Sequence, residues 1–312
     1  MSDPRLHTRI GTFRQLEILL AVHEHGSITS ASAALHLTQP TVSIQMKKLA
    51  DQIGMPLYDQ IGRRIVFTDA GLAVVESARE ILDTIGSLDM KLADMRGTKA
   101  GKLRIGVVTT AKYFIPHLLG DFCQRYPAID FDLKVGNREQ IIDRVAAGRE
   151  DFYVFSHPPE DDRLEQQEFL PNPLVAIAPV DHPLAGRKRI PLHEFASCPM
   201  LIREAGSGTR HAIDHHYQQY KIRPNVRMTI ESNEAIKHAV MSGLGVSIIS
   251  RHTLTFGERS GLAELSVATL PIMTNWYLVR HGAKRMSVVA RAFLDYVNQT
   301  GRSRMLAVLA QG

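Results

Sequence analysis

The chain is poor in the features that mark exported, membrane-bound or metal-binding proteins. Its 312 residues include only two cysteines, Cys123 and Cys198, which form neither a disulfide framework nor a metal-binding pattern. No stretch approaches the roughly 18 uninterrupted apolar residues of a membrane span. The N-terminal residues also lack the apolar core of a signal peptide. These absences argue against a membrane protein and predict a cytoplasmic protein with no metal and no cofactor.

The chain also lacks the motifs of common enzymes. The segment Gly206-Ser-Gly-Thr has neither the lysine nor the spacing of a P-loop. His211 and His215 are four residues apart on a predicted helix, but the sequence places no third ligand beside them, so surface histidines are favoured over a metal pair. No nucleophile, base and orienting acid occur together. We therefore predict that the protein is not an enzyme.

The net charge of the chain gives only weak evidence about its binding partner. The net charge of +5 favours a polyanion. However, residues 1–100 contain 11 basic and 11 acidic side chains, so the basic excess lies in the rest of the chain. Any argument for nucleic-acid binding by the N-terminal segment must therefore depend on the local placement of its charges.

Residues 27–54 have the pattern of two short helices joined by a tight turn. Ser27 is placed to cap the first helix and Thr38 to cap the second. Pro40 falls in the first turn of the second helix, where its missing N–H costs little. The preceding segment, residues 12–25, is amphipathic and predicts a supporting helix that ends at Gly26.

The second helix of this pair is predicted to be amphipathic. Its inward stripe consists of Val42, Met46 and Leu49. Its outward side chains are polar or basic: Thr41, Ser43, Gln45, Lys47 and Lys48. A small polar and basic helix supported by a short Ala-rich helix is how a helix-turn-helix presents side chains to the DNA major groove.

A hairpin is predicted after this pair, with its turn around Gly62 and a strand over residues 65–67. Arg63 and Arg64 at its tip are suited to flanking phosphates or the minor groove. The alternative is a solvated turn with two exposed arginines. The predicted DNA-binding residues are Ser30, Gln39, Pro40, Thr41, Ser43, Lys47, Lys48, Arg63 and Arg64.

Thr68 is placed to cap a long helix from Asp69 to about Met95. Apolar residues follow one another at three- and four-residue spacing along its second half: Leu82, Ile85, Leu88, Leu92 and Met95. A single helix cannot bury such a seam, so we expect dimerisation through it. Two reading heads would suit a two-fold pair of DNA half-sites.

From residue 102 onward, strands and helices alternate in an order that predicts a parallel α/β sheet. We assign residues 1–68 to the winged helix-turn-helix, 69–96 to the linker helix and 102–302 to an effector domain. Lobe I of this domain comprises 102–167 and 274–302, and lobe II comprises 168–273. Ligands of such folds bind between the lobes, where strands end.

The candidate ligand-binding residues are those at which strands end and helices begin. Hydroxyl groups, free N–H groups and arginines at such positions suit an anion, so we predict a small carboxylate or phosphate ligand. The candidates are Thr109, Thr110, Asn137, Arg138, Phe155, Ser156, His157, Arg203, Ser207, Thr209 and Arg210. For each hydroxyl the alternative is a helix cap with no ligand.

Over nearly its full length the chain resembles the LysR-type transcriptional regulators. The segment from FRQLEILLAVHEHG to MPLYD and the GRRIVFTDAG hairpin carry this resemblance. VVTTAKYFIPHLLGDFCQRYP, LKVGNRE and DFYVFSHPPEDD are similar to the regulators of carbon-fixation operons. One departure is Ile44, which stands where many members have an arginine that reads guanine. Isoleucine cannot donate to a base edge, although it can meet a thymine methyl group.

The resemblance implies a winged helix-turn-helix, a linker helix and a two-lobed domain of the periplasmic binding-protein type (type II), assembled as a dimer of dimers. It implies that a phosphorylated metabolite in the cleft retunes DNA bending and activates a RuBisCO-type, Calvin-cycle operon. Double-stranded DNA, the effector and a homotetramer are the expected partners, and RNA polymerase is a further one left open. The alternatives are a LysR-type regulator of aromatic or amino-acid metabolism, a two-lobed solute-binding protein or a small-molecule enzyme.

Overall fold

The computed structural model describes residues 11–62, 64–257 and 260–311 of the chain. The chain divides near Leu92 into two compact units. The elements of the N-terminal unit are α1 (Phe13–His25), α2 (Ile28–Ala34), α3 (Gln39–Ile53), β1 (Tyr58–Ile61), β2 (Arg64–Phe67) and the long helix α4 (Asp69–Met95). These elements form the predicted winged helix-turn-helix followed by a linker helix.

Local capping positions each helix of the N-terminal unit where the sequence predicts it. The Ser27 hydroxyl accepts the backbone N–H of Ser30 at 3.1 Å, and Thr38 accepts that of Thr41 at 3.3 Å. Thr68 accepts the N–H of Gly71 at 3.0 Å. Behind these caps, α1, α2 and α3 contribute to one apolar core that includes Leu19, Val22, Ala31, Val42, Met46 and Leu49. Burial of this core fixes which face of α3 remains exposed.

The C-terminal unit alternates strands and helices around one sheet. Its strands are β3 (Gly101–Val108), β4 (Ile129–Gly136), β5 (Phe152–Phe155), β6 (Leu164–Pro179), β7 (Met200–Arg203), β8 (Val226–Ile230), β9 (Val246–Ser250), β10 (Leu262–Leu265) and β11 (Ile272–His281). Its helices are α5 (Ile115–Arg125), α6 (Arg138–Ala146), α7 (Leu192–Ser197), α8 (Gly208–Gln219), α9 (Asn233–Met241), α10 (His252–Thr255), α11 (Val288–Tyr296) and α12 (Arg302–Gln311). A 3-10 turn spans Ala111–Tyr113.

The sheet has two parallel groups joined by two long strands. Its order is β4-β3-β5-β11-β6-β9-β7-β8, and β10 pairs with β6 beside this path. β3 is parallel to both β4 and β5, as the βαβαβ order predicts, and β7 is parallel to β8 and β9. β6 and β11 are antiparallel to each other along their length. Many of the candidate ligand-binding residues lie at, or just after, the carboxyl ends of β3, β5 and β7.

The structure differs from the sequence prediction in three elements. The strand expected at Pro173–Val180 begins at Leu164, because its first half pairs with β11. The proposed lobe boundaries at 167/168 and 273/274 therefore fall inside these two shared strands. The closing helix expected at Ser287–Gln299 ends at Tyr296 and continues through a π-helical turn into α12. Strand β10 was not predicted. Among the described residues, no helix is both long and apolar enough to cross a membrane.

Candidate functional site

In the N-terminal unit, α3 exposes most of the side chains predicted to contact DNA. Gln39, Pro40, Lys47 and Lys48 are exposed, and Thr41 and Ser43 are half-buried. Ser30 is exposed on α2, where its hydroxyl accepts a 2.9 Å hydrogen bond from Ser27. Each of these residues therefore has a side chain that is at least partly accessible.

Gln45 does not belong to the outward set to which its spacing assigned it. Its side chain is half-buried, and its Oε1 accepts a 3.0 Å hydrogen bond from Nε2 of Gln15 on α1. The Gln15 side chain also accepts from the backbone N–H of Thr12, completing the capping box of α1. Gln45 therefore helps to hold α3 against α1, a role that periodicity within one helix does not reveal.

The β1–β2 hairpin is fastened to the rest of this unit by backbone hydrogen bonds. The N–H of Ile65 donates to the carbonyl of Gly26 at 3.0 Å, and the N–H of Thr68 donates to that of Leu57 at 3.1 Å. Arg64 opens β2 and is exposed, whereas Arg63 lies outside the described residues. The position of Arg64 at the turn is the one expected of a wing.

In the C-terminal unit, nine of the eleven candidate ligand-binding residues line one cleft. They are Thr109, Thr110, Arg138, Phe155, Ser156, His157, Arg203, Ser207 and Thr209, joined by Val108, Glu204 and Gly208. They come from the ends of β3, β5 and β7 and the starts of α6 and α8. Convergence of strand ends explains why residues distant in the sequence meet here.

Arg203 is buried in the cleft wall, and each of its five N–H groups has a protein acceptor. Nε and Nη2 each donate to Glu204 at 2.8 Å. Nη1 donates to Thr110 at 3.4 Å and to Asn233 at 2.8 Å, and Nη2 donates to Thr109 at 3.2 Å. Because Glu204 neutralises its charge, Arg203 positions the surrounding side chains and contributes little net charge to the cleft.

The hydroxyl of Thr110 is left as a donor. Its oxygen accepts from Nη1 of Arg203 at 3.4 Å and from Nδ2 of Asn233 at 2.8 Å. A hydroxyl accepts two hydrogen bonds and donates one. Since both acceptor positions are used, the remaining O–H of Thr110 requires an acceptor. A ligand oxygen in the cleft would meet that requirement.

Arg138 is the cation of the cleft that retains its charge. Its Nε donates to the carbonyl of His157 at 3.1 Å. Within the described part of the chain, its terminal nitrogens make no other hydrogen bond and no ion pair. Burial lowers the pKa of Arg138, which is the sign of a guanidinium removed from water without a compensating carboxylate. A bound anion would supply the missing charge.

The start of α8 adds backbone donors to the same cleft. Ser207 precedes this 12-residue helix and is buried, but its side chain makes no capping hydrogen bond. The first N–H groups of a helix lack intrahelical partners and attract anions. Gly208 also lies close to Ser156, since a Cβ at this position would be 2.4 Å from the Ser156 hydroxyl oxygen and would displace that side chain.

Asn137 and Arg210 do not line the cleft, although both follow the strand-to-helix rule used to select them. Asn137 caps α6 by accepting the N–H of Gln140 at 2.9 Å. Arg210 pairs with Asp214 at 2.8 Å, and its Nη1 donates to the carbonyl of Arg203 at 3.2 Å. Their side chains are used in local structure.

Two histidines meet beside the cleft. The rings of His157 and His211 are stacked, with centroids 4.0 Å apart. Burial, His211 and Arg138 lower the pKa of His157, which favours its neutral ring. His215, the other member of the candidate metal pair, instead forms a hydrogen bond with Gln219. Among the residues that the structure describes, no cluster of three His, Cys, Asp or Glu side chains is placed to hold a metal.

Sequence reasoning missed Glu204 and Asn233, which complete the arginine network. Asn233 opens α9 and follows the end of β8 by three residues, so the strand-to-helix rule that found Thr110 would also have found it. Glu204 is the neighbour of Arg203 in the sequence, and its role as a counter-ion was open to inference. Besides the contacts of Asn233, α9 also accepts a hydrogen bond from Tyr113, whose hydroxyl donates to Glu234 at 2.6 Å.

Comparisons with known proteins agree with both units. The family described as bacterial regulatory helix-turn-helix protein, lysR family, matches residues 13–72, and the LysR substrate binding domain matches residues 96–302. The HTH-type transcriptional activator CmpR of Synechocystis sp. is 45% identical over 287 residues, covering 92% of this chain and 94% of that protein. The RuBisCO operon transcriptional regulator of Acidithiobacillus ferrooxidans is 39% identical over 290 residues, covering 93% and 94%.

A solved structure extends the comparison to the cleft-bearing unit. The regulatory domain of CcmR from Synechocystis PCC6803, in complex with 2-PG, matches this chain with a TM-score of 0.60 and 46% sequence identity. The match covers 63% of this chain and 95% of that domain.

Proposed function

We propose that this chain, which belongs to the LysR family of bacterial helix-turn-helix transcriptional regulators, controls carbon-fixation genes in response to a small phosphorylated carboxylate. Its relatives include RuBisCO operon regulators that match more than nine-tenths of the chain. Membership of the family makes DNA binding its activity. The target genes and the effector are the proposed part.

The observation that carries the effector proposal is the set of unfilled donors in the cleft. Thr110 has a hydroxyl that is left only to donate, and α8 begins with backbone N–H groups. The terminal nitrogens of Arg138 have no partner among the residues that the structure describes. Together they favour a ligand rich in acceptors and negative charge. 2-Phosphoglycolate, the 2-PG bound to the CcmR regulatory domain, has both a phosphate and a carboxylate. We therefore propose it, or a phosphorylated acid of similar size, as the effector.

The remaining parts of the proposal concern assembly and location. We propose a cytoplasmic, non-enzymatic homodimer formed through α4, with two dimers making a tetramer. The exposed apolar residues Leu88, Leu92 and Met95 on α4 support the dimer. In this arrangement α3 and the hairpin contact DNA, the effector retunes DNA bending, and RNA polymerase is the partner through which activation would act.

The effector proposal is tested by calorimetric titration of the full-length protein with 2-phosphoglycolate. We expect Arg138→Gln to weaken binding by roughly 10- to 100-fold, the worth of a charge-assisted hydrogen bond in a water-poor site. Arg210→Gln is the matched control, because Arg210 is at the start of α8 but outside the cleft. It should bind the effector with nearly unchanged affinity.

Two further measurements separate the alternatives. Thr110→Val should weaken effector binding and leave DNA affinity intact. Thr274→Val is the control, because the Thr274 hydroxyl donates to the Asn172 carbonyl, and it should change neither affinity. Glycolate without phosphate should bind far more weakly than 2-phosphoglycolate. Tight binding of an aromatic or amino acid instead, with no response to phosphorylated acids, would favour a LysR-type regulator of another pathway.

A further inference from the structure

Ile44 is an exposed apolar side chain at the centre of the DNA-facing surface of α3. Its side chain is 53% exposed, whereas the inward stripe of the same helix is fully buried. Pro40 precedes it by four residues, and Lys48 follows it by four. Residues at this spacing share a helix face, and both of these neighbours are exposed. The face therefore presents an apolar pair, Pro40 and Ile44, with a cation one turn farther along.

Two of the polar side chains near Ile44, those of Gln45 and Thr41, have partners within the protein. Gln45 accepts a hydrogen bond from Gln15, which holds it against α1. Thr41 and Thr38 share a hydroxyl–hydroxyl hydrogen bond of 2.8 Å, and Thr38 also caps the helix. These contacts reduce the polar groups that the middle of the helix offers to base edges, whereas the apolar side chain of Ile44 is exposed there.

The basic neighbours determine how the face meets DNA. Lys47 and Lys48 are exposed three and four residues after Ile44. Contacts of lysine with phosphate position a helix on the duplex but carry no sequence information. If Lys47 and Lys48 hold α3 on the phosphates, the Ile44 side chain between them and Pro40 faces the base edges. A sequence preference at the base pair opposite Ile44 would then arise from Ile44 itself.

We propose that Ile44 is a specificity-determining residue that reads the 5-methyl group of a thymine in the major groove. The thymine methyl is the apolar feature that the major-groove edges of the four base pairs present. Isoleucine has no donor or acceptor, so against guanine or cytosine it would cover polar groups without a hydrogen bond, at a cost in free energy. Contact with a methyl group has no such cost and removes apolar surface from water.

The test uses the full-length protein and no effector, so its outcome is independent of the effector proposal. The bound sequence is obtained by selection from a random DNA pool, and each thymine in it is then replaced singly by deoxyuridine, which lacks only the methyl group. We expect one thymine in each half-site at which this replacement weakens wild-type binding by roughly fourfold, the worth of one buried methyl group. Ile44→Ala should bind the thymine-containing DNA more weakly than the wild type does. Its affinity should not fall further when that thymine is replaced by deoxyuridine.

Met55→Ala is the matched control, because Met55 is 54% exposed but follows the end of α3. It should retain the wild-type loss with deoxyuridine. Circular dichroism melting of both variants checks that each is folded. The proposal is overturned if wild-type affinity is insensitive to deoxyuridine at every thymine, or if Ile44→Ala shows the same loss as wild type.

Discussion

Arg138 and Arg203 lie at one cleft but have opposite roles. Arg203 donates every N–H to protein acceptors and is neutralised by Glu204. The terminal nitrogens of Arg138 make no hydrogen bond within the described part of the chain, and we propose that they contact the ligand. Residue type and position at a strand end selected both as ligand-binding candidates. Their roles differ because a carboxylate and an asparagine side chain accept from one of them and not from the other.

The buried histidine His252 predicts how the stability of the protein depends on pH. Its ring is fully buried against Phe114, with centroids 5.1 Å apart, and its Nε2 bonds to the carbonyl of Pro171 at 2.9 Å. Burial lowers the pKa of His252 from 6.5 to about 4, although the bond to the Pro171 carbonyl partly opposes this shift. Between these two values the unfolded chain binds a proton that the folded protein does not, so stability falls as pH falls.

We expect the free energy of unfolding of the wild type to decrease by about 2 kcal/mol more than that of His252→Gln between pH 7 and pH 5. Urea titrations at a series of pH values measure this difference. His238→Gln, which replaces an exposed histidine on α9, should keep the wild-type slope. Parallel curves for wild type and His252→Gln would refute the assignment.

At the scale of elements, the sequence identifies the helices well because their signals are local. The caps Ser27, Thr38 and Thr68 are all in place, and the first two lie on either side of the turn that defines the motif. The β1–β2 hairpin has a weaker local signal, and its position depends on a backbone bond from Ile65 to Gly26. That bond between segments far apart in the sequence holds the hairpin against the end of α1.

The wing assignment predicts a change in the salt dependence of DNA binding. Arg63→Ala combined with Arg64→Ala should weaken binding to all sequences by a similar factor. The slope of log affinity against log salt should fall by about two for each hairpin engaged, because each arginine neutralises one phosphate. Fluorescence anisotropy between 50 and 200 mM salt, roughly the range where this effect is large, provides the measurement.

Lys91→Ala is the control for the wing, since it removes an exposed cation from α4. Its salt slope should equal that of the wild type. A double-arginine variant whose affinity and slope are unchanged would mean that the hairpin tip is a solvated turn.

At the scale of the whole molecule, net charge says little about DNA affinity. The first 100 residues are electrically balanced, so affinity must arise from cations placed together, namely Lys47, Lys48 and the hairpin arginines. Doubling of this set in a dimer would raise the number of phosphate contacts. In the proposed dimer, the apolar seam of α4 would therefore contribute to DNA binding together with the basic residues.

The dimer is tested by placing a charge in that seam. Leu92→Glu should lower the mass measured by light scattering, because a buried carboxylate at a helix–helix contact lacks a partner. Lys91→Glu, at the adjacent exposed position, should leave the mass unchanged. An unaltered mass for Leu92→Glu would remove α4 from the interface.

The sequence by itself determined the helix-turn-helix, the long linker helix, the α/β order and most of the cleft. These features depend on periodicity, caps and the ends of strands, which act over a few residues. Tertiary structure decided the pairing of β6 with β11, the exclusion of Asn137 and the hydrogen bond from Asn233 to Thr110, residues 123 positions apart. Such contacts depend on how the whole chain packs, because only packing determines which donors and acceptors meet and which remain for a ligand.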